Sequence, residues 1–248
     1  MNKLISKIKY ELEDYKVLLQ NVPSSMMALF TVSVILMNVL ANKSIDTGLD
    51  WLALDCGFTL SWLSFLSMDM LTKRFGAKAS IKLSLFAMGV NLLACAIFYV
   101  VSLIPGNWGE FYTFELPEVN IALNNTIGGT WYVLLGSTIA FVVSAVLNSV
   151  LNECIGKALK HNNFRAYAVR SYVSTAIGQF VDNLIFALIV SHTFFGWSML
   201  QCVTCAITGA IVELLCEVIF SPIGYKVSKQ WEADNVGEKY FTFIGGKH

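Results

Sequence analysis

Six apolar runs, at about 24–42, 50–71, 81–104, 131–154, 171–191 and 197–221, constrain this chain more than any other feature of it. A helix needs roughly 20 residues to cross about 30 Å of hydrocarbon. Backbone N–H and C=O groups in that layer find no water, so they must be satisfied within the segment, and a helix does this. The expected class is all-α: an integral membrane bundle of six transmembrane helices with a short N-terminal amphipathic helix. A composition of 56% hydrophobic and 14% charged residues agrees, being too apolar for an ordinary soluble domain of 248 residues.

The charges alternate between connections. Lys3, Lys7, Lys9 and Lys16 precede the first run, and Lys73, Arg74, Lys78 and Lys82 follow the second. Lys157, Lys160, Arg165 and Arg170 follow the fourth, and Lys226, Lys229, Lys239 and Lys247 the sixth, whereas the opposite connections hold only Lys43. The positive-inside rule then places both termini in the cytoplasm of a multi-pass protein of the cell (inner) membrane, and an even number of spans fits the alternation. Residues 1–23 read as a cytoplasmic amphipathic segment, with Leu4, Ile8, Leu12, Tyr15 and Leu19 as its apolar stripe lying on the membrane surface. Residues 24–228 form the membrane domain, closed by Pro222 after the sixth run, and 229–248 a polar cytoplasmic tail. No signal peptide is expected, because some twenty polar and charged residues come before the first apolar run. The 105–130 connection, with Glu110, Glu115 and Glu118 beside Trp108, Phe111, Tyr112 and Phe114, reads as an ordered external loop.

Polar side chains inside the runs are the candidates for function. A carboxylate there costs about 2.5–3.5 kcal/mol on insertion scales, so it faces protein or water. The fifth run carries Gln179, Asp182 and Asn183 on one face. The first holds Asn38 and Asn42, the second Trp62, Phe65 and Asp69, and the sixth Glu213 and Glu217. Asp69 stands four before Lys73, so a helix-end ion pair competes evenly with a functional role. Asp182 and Glu213 lie more than about 12 Å from the nearer helix ends, which favours function over a structural polar lock between helices. Such groups suit a polar planar ligand. A carboxylate accepts two parallel N–H bonds from a guanine-like edge, amides donate and accept, and an aromatic face stacks. A second carboxylate would hold a cationic substituent or carry a coupling proton.

Other chemistries leave no mark. The chain has no Gly-x-Ser-x-Gly, no His-Glu-x-x-His and no phosphate-binding Gly-rich loop with Lys. His161, His192 and His248 sit in a loop, at a helix end and at the last position, so none is placed as a buried base. Neither an enzyme nor a chain with its own ATPase is expected. Cys202 and Cys205 have the spacing of a metal pair but no second pair and no nearby His; they and the other four cysteines read as apolar filler, and no metal or cofactor is expected. Zero net charge gives no reason to expect nucleic acid as a partner.

Three stretches then carry a resemblance: Asn38-Val39-Leu40-Ala41-Asn42-Lys43, the run from Asp69 to Ala79 that includes Lys73-Arg74-Phe75-Gly76, and Ser174-Thr175-Ala176-Ile177-Gly178-Gln179-Phe180-Val181-Asp182. In this order and spacing the chain resembles the queuosine-precursor transporter family, also called the vitamin uptake transporters, over roughly residues 24–228. The resemblance implies an importer of 7-deazaguanines (7-cyano-7-deazaguanine, 7-aminomethyl-7-deazaguanine or queuine) that feed tRNA modification. The family's polar motif positions fall on Asn42, Lys43, Asp69, Gln179 and Asp182. Two departures are visible: Thr130-Trp131-Tyr132 stands where many members have an Arg, and the sixth run lacks a Lys near Glu217. The expected roles are Asp182 or Glu213 on the guanine-like edge, Gln179, Asn183, Asn38 and Asn42 on the remaining polar atoms, and Trp62 or Phe65 stacked on the ring. The expected partners are a nucleobase and the bilayer, with homo-oligomerisation left open. The alternative is a substrate-binding subunit of a vitamin importer energised by a separate ATPase. A lipid-acting intramembrane enzyme would need a nucleophile–base pair that the sequence does not offer.

Overall fold

The computed structural model describes residues 2–52, 54–109, 116–128, 131–159 and 162–245. Glu110, Phe111, Tyr112, Phe114, Glu115, Thr130, Lys160, His161, Lys247 and His248 lie outside the described residues. Helix α1 (Asn2–Asn21) meets α2 (Ser24–Leu40) at an angle of 104°. Pro23 sits at that corner, where its fixed φ and missing N–H suit a helix start.

The second apolar run is not one helix from 50 to 71. Strands β1 (Ser44–Ile45) and β2 (Leu54–Asp55) pair antiparallel, Ser44 opposite Asp55, and α3 begins only at Phe58 and runs to Phe75. The reason is local. The Asp55 carboxylate accepts the Gly57 backbone N–H at 2.7 Å, a turn that competes with helix. The hairpin is also tied to the bundle, because Gln201 Nε2 donates to the Asp50 carbonyl at 2.9 Å and Thr204 Oγ1 to that of Trp51 at 2.8 Å.

Gly76, at φ 84°, turns the chain from α3 into α4 (Ala77–Ser102). The external connection carries a helix of its own, α5 (Pro117–Ile127), clasped by Trp108 Nε1 donating to Asn124 Oδ1 at 2.6 Å. Then come α6 (Trp131–Leu159) and α7 (Phe164–Phe186), the latter capped by the Asn163 side chain accepting the Ala166 N–H. Helix α7 continues through a π turn (Ala187–Ser191) and a last turn (His192–Phe194). Helix α8 (Met199–Ala233) opens on a capping box made by Ser198 and Gln201. Pro222 does not close it. Proline at this position leaves the Val218 carbonyl without its helical donor, and the Ser221 hydroxyl donates to that carbonyl at 3.2 Å, so the helix passes through. Helix α9 (Glu238–Phe243) follows.

Helices α2, α3, α4, α6, α7 and α8 pack side by side, with α3 in the middle: every residue from Phe65 to Thr72 is buried. The bundle is polar within and apolar without. Ser64, Asp69, Asn91, Ser144, Asn148, Asn152 and Gln179 are buried, while Leu93, Ile97, Ile211, Leu215 and Ile219 are exposed. Only a hydrocarbon solvent makes that arrangement favourable. Among the described residues four helices are long and apolar enough to cross a membrane: Ala77–Ser102, Val133–Leu159, Phe164–Phe194 and Met199–Ala233. The bent pair α1–α2 qualifies as a fifth span only if counted together. The expected six is therefore not reached on that measure. Helix α2 has 17 residues, and α3 gives its inward face to Ser61, Ser64, Ser67, Asp69 and Thr72.

The basic residues gather at one end of the bundle. Lys73 pairs with Glu232 rather than with Asp69, Arg74 Nε donates to the Val236 carbonyl at 2.9 Å, and Lys82 holds Glu11 and Asp14 of α1. The expected polar tail is built into this end. Trp231 and Tyr240 are buried, and Phe243 stacks on Tyr10 with ring centroids 5.5 Å apart.

Candidate functional site

A small cavity, whose clear space is about 40 Å³ and so well below that of ordinary ligand sites, lies between α2, the β hairpin and helices α3, α6, α7 and α8. Among the described residues its polar walls come from six elements. Helix α2 supplies Asn38, whose Oδ1 accepts the Ser137 hydroxyl of α6 while its Nδ2 has no hydrogen-bond partner among the described residues. Helix α7 supplies Asp182, whose Oδ1 accepts the Ser144 hydroxyl at 2.6 Å, and Asn183, whose Nδ2 donates to Glu213 Oε2 of α8 at 3.2 Å. Glu213 is fully buried and its other oxygen accepts the Ser61 hydroxyl of α3. The hairpin supplies Asp55. Burial pushes its carboxyl up to about 6, although the bond from the Gly57 N–H favours the charged form. Phe58 and Phe186 offer the aromatic faces.

Gly209 explains how Asn183 fits. A side chain there would place its first carbon 2.7 Å from Asn183 Nδ2, so α8 must be bare at that point. The π turn of α7 begins one residue after Phe186, where the i→i+4 ladder widens.

Of the residues expected from the sequence, Asn38, Asp182, Asn183 and Glu213 meet at this cavity. The others do not. Trp62 stacks on Phe220, centroids 4.5 Å apart, and donates its Nε1 to the Thr59 carbonyl. Phe65 is core, pressed against the bare backbone of Gly178. Asn42 folds back on α2, donating to the Val39 carbonyl at 3.1 Å, and lines a separate cleft with Cys95 and Phe98. Glu213 and Glu217, one turn apart on α8, go into different polar clusters.

The second cluster lies between the cavity and the basic end. Asp69 accepts Asn148 Nδ2 at 2.8 Å, Thr175 Oγ1 at 3.3 Å and Ser174 Oγ at 3.4 Å, and it also contacts the Ser171 hydroxyl. That same hydroxyl contacts Glu217 Oε1. Gln179 stands on α7 between the clusters, fully buried, with neither amide atom hydrogen-bonded among the described residues.

Reasoning from the sequence missed Asp55, Phe58, Ser61, Ser137, Ser144, Ser171 and Phe186. A signal existed for some of them. Ser137, Ser144, Asn148 and Asn152 recur at seven and four along α6, one polar face of an apolar helix. Asp55 two residues before Gly57 is a turn signature inside an apolar run.

No curated protein and no solved structure matches this chain. One family profile does, over residues 55–227, which takes in α3 through most of α8 and the cavity wall other than Met37, Asn38 and Ala41. That match spans more than half of the sequence, and with a membrane bundle built around buried polar groups it leads to one conclusion: the chain belongs to the family described as "putative vitamin uptake transporter".

Proposed function

We propose that this transporter imports a 7-deazaguanine precursor of queuosine across the cell (inner) membrane, with both termini in the cytoplasm and the six bundled helices as its spans. The substrate class rests on the resemblance in the Asn38–Lys43, Asp69–Ala79 and Ser174–Asp182 stretches. One observation supports the chemistry best: carboxylates and amides from separate helices, Asp182, Glu213, Asn183 and Asn38, face one cavity with Phe58 and Phe186 beside them. Asp182 or Glu213 takes the paired N–H groups of the guanine-like edge, the amides take ring carbonyl and nitrogens, and a phenyl face takes the ring.

The charge balance narrows the choice. Among the described residues the cavity lining holds three carboxyl groups and no Lys or Arg. An unpaired buried carboxylate is costly, so a cationic substituent is favoured over a neutral one. That selects 7-aminomethyl-7-deazaguanine over its 7-cyano analogue, and the small cavity selects it over queuine. The clear space at the centre takes only a few waters, so the helices must part to admit the ring. The π turn beside Phe186 is where α7 gives way most readily.

The test is ligand-dependent thermal stability of the purified protein, since a ligand that binds the folded state raises it by mass action. 7-Aminomethyl-7-deazaguanine should stabilise most, 7-cyano-7-deazaguanine and queuine less, and riboflavin not at all. Asp182→Ala should weaken binding roughly tenfold to hundredfold, the worth of one charge-assisted hydrogen bond. A shift with riboflavin alone would overturn the substrate class.

A further inference from the structure

The Ser171 hydroxyl touches two carboxyl groups at once, Asp69 Oδ2 and Glu217 Oε1, and both acids are fully buried. A serine hydroxyl has one proton to give. If it donates to one carboxylate, its contact with the other is oxygen against oxygen unless that second group carries a proton. The pair must therefore hold one proton, which the geometry places on Glu217. Asp69 has further donors in Asn148 and Thr175, the Ser174 hydroxyl lying closer to the Ser171 carbonyl, whereas among the described residues Glu217 Oε1 has Ser171 alone. Glu217 Oε2 has no hydrogen-bond partner among the described residues, a large cost for a charged carboxylate in a sealed site and a small one for an acid. Tyr167, 1% exposed, stands beside Ser171 in the field of both carboxyls.

The surrounding charges agree with one proton. From α7 come Tyr167 and the Arg170 guanidinium, which acts on Asp69 and donates its Nε to Asn152 Oδ1 at 2.7 Å. Helix α6 presents the amides of Asn148 and Asn152, with Glu153 acting on Arg170. On α3 itself, Lys73 is taken by Glu232 of α8. Helix α4 turns Lys78 and Lys82 to Glu11, and α2 has no charged residue. One shared proton leaves the acid pair with a single negative charge against the single positive charge of Arg170. Two ionised acids would leave an excess charge buried among helices.

We infer that Glu217, Ser171 and Asp69 form a proton relay, and that the proton held there couples transport to the proton gradient. The step balances: the Glu217 O–H breaks as its proton passes to Ser171 Oγ, the Ser171 O–H breaks, and an O–H forms on Asp69 Oδ2. One proton moves from Glu217 to Asp69 with no other reactant. Glu217 lies one turn of α8, about 6 Å, from Glu213 in the cavity wall, so a change in the cavity's charge is felt at the relay. This coupling role rests on the importer reading above; the shared proton itself does not.

Two measurements separate those layers. Infrared spectroscopy of the ligand-free protein near neutral pH reads the C=O stretch of protonated carboxyl groups. A band lost in Glu217→Gln and shifted in Ser171→Ala is expected. A band unchanged in both variants would overturn the shared proton, and Ser171→Ala alone decides if the glutamine variant does not fold. In proteoliposomes with the membrane potential clamped, wild type should accumulate 7-aminomethyl-7-deazaguanine about tenfold for each unit of inward acid gradient, as a one-to-one symport requires. Glu217→Gln should exchange labelled for unlabelled substrate yet accumulate none. Accumulation by that variant equal to wild type, or wild-type uptake indifferent to the gradient, would overturn the coupling. An intact band pattern with no uptake of any deazaguanine would instead sink the substrate reading and leave the relay standing.

Discussion

Gln179 shows what an unpaired polar group costs a single buried residue. It is fully buried with both amide atoms unpaired among the described residues, and each such group costs about 1–3 kcal/mol. Gln179→Met, close in volume, should therefore raise thermal stability while lowering uptake; a drop in both would mean that the amide serves packing alone. Asp55 makes a pH-dependent case. Its folded-state pKa is raised from 3.8 to about 6, so the folded state binds the proton more tightly than the unfolded one. The stability this lends is complete below pH 3.8 and is lost as pH rises through about 6. Asp55→Asn keeps an acceptor for the Gly57 N–H and removes the titration. Melting curves should show its advantage over wild type growing between those pH values and constant above them. The hairpin acids were hard to read from sequence because Asp55 looks like the edge of an apolar run, and only its turn with Gly57 sets it over the cavity.

At the scale of elements, the close contact of α3 with α7 is set at Gly178. A methyl group there would lie 2.7 Å from Phe65 Cε1 and 3.1 Å from Asn148 Cβ, side chains of the central helix and of α6. Gly178→Ala gains about 1 kcal/mol of helix propensity but forces those neighbours apart at a cost of about 1–3 kcal/mol. The expected outcome is a net loss of stability, read by thermal denaturation in detergent, with uptake falling as Asp69 and Asn148 lose register. The apolar runs were legible as helices because their periodicity and length leave no alternative in lipid. Which inward faces touch was not, as shown by Trp62: its spacing with Phe65 and Asp69 suggests a shared face, yet its ring lies on Phe220.

At the scale of the molecule, the basic end is closed by ion pairs of unequal worth. Lys82 joins α4 to α1 through Glu11, whose side chain is 42% exposed, and Asp14, which is 1% exposed. The bond from Lys82 and its charge hold the Glu11 carboxyl below its ordinary range, while burial and the Asp14 carboxyl hold the Tyr240 phenol above its own. Removing one partner of a buried pair strands a charge, whereas an exposed pair contributes little. Lys82→Met should thus loosen α1 far more than Glu11→Gln, seen as faster proteolysis within residues 5–20. Equal rates would show that α1 is held by its apolar contacts with α9 instead.

Local sequence is enough to make this chain a helical membrane protein, to set where its charges concentrate and to choose which kinds of polar group it carries into the apolar layer. Those follow from local composition and period, because each apolar run must satisfy its own backbone. Tertiary structure alone decided how those polar groups divide. Asp182, Glu213, Asn183 and Asn38 meet at a cavity, while Asp69 and Glu217 close on Ser171, although Glu213 and Glu217 are one turn apart on the same helix. The physical reason is that a buried polar atom takes its partners from neighbouring helices. Helix rotation and offset, set by contacts such as Gly178 with Phe65 and Gly209 with Asn183, choose those partners, and no spacing within a single segment encodes them.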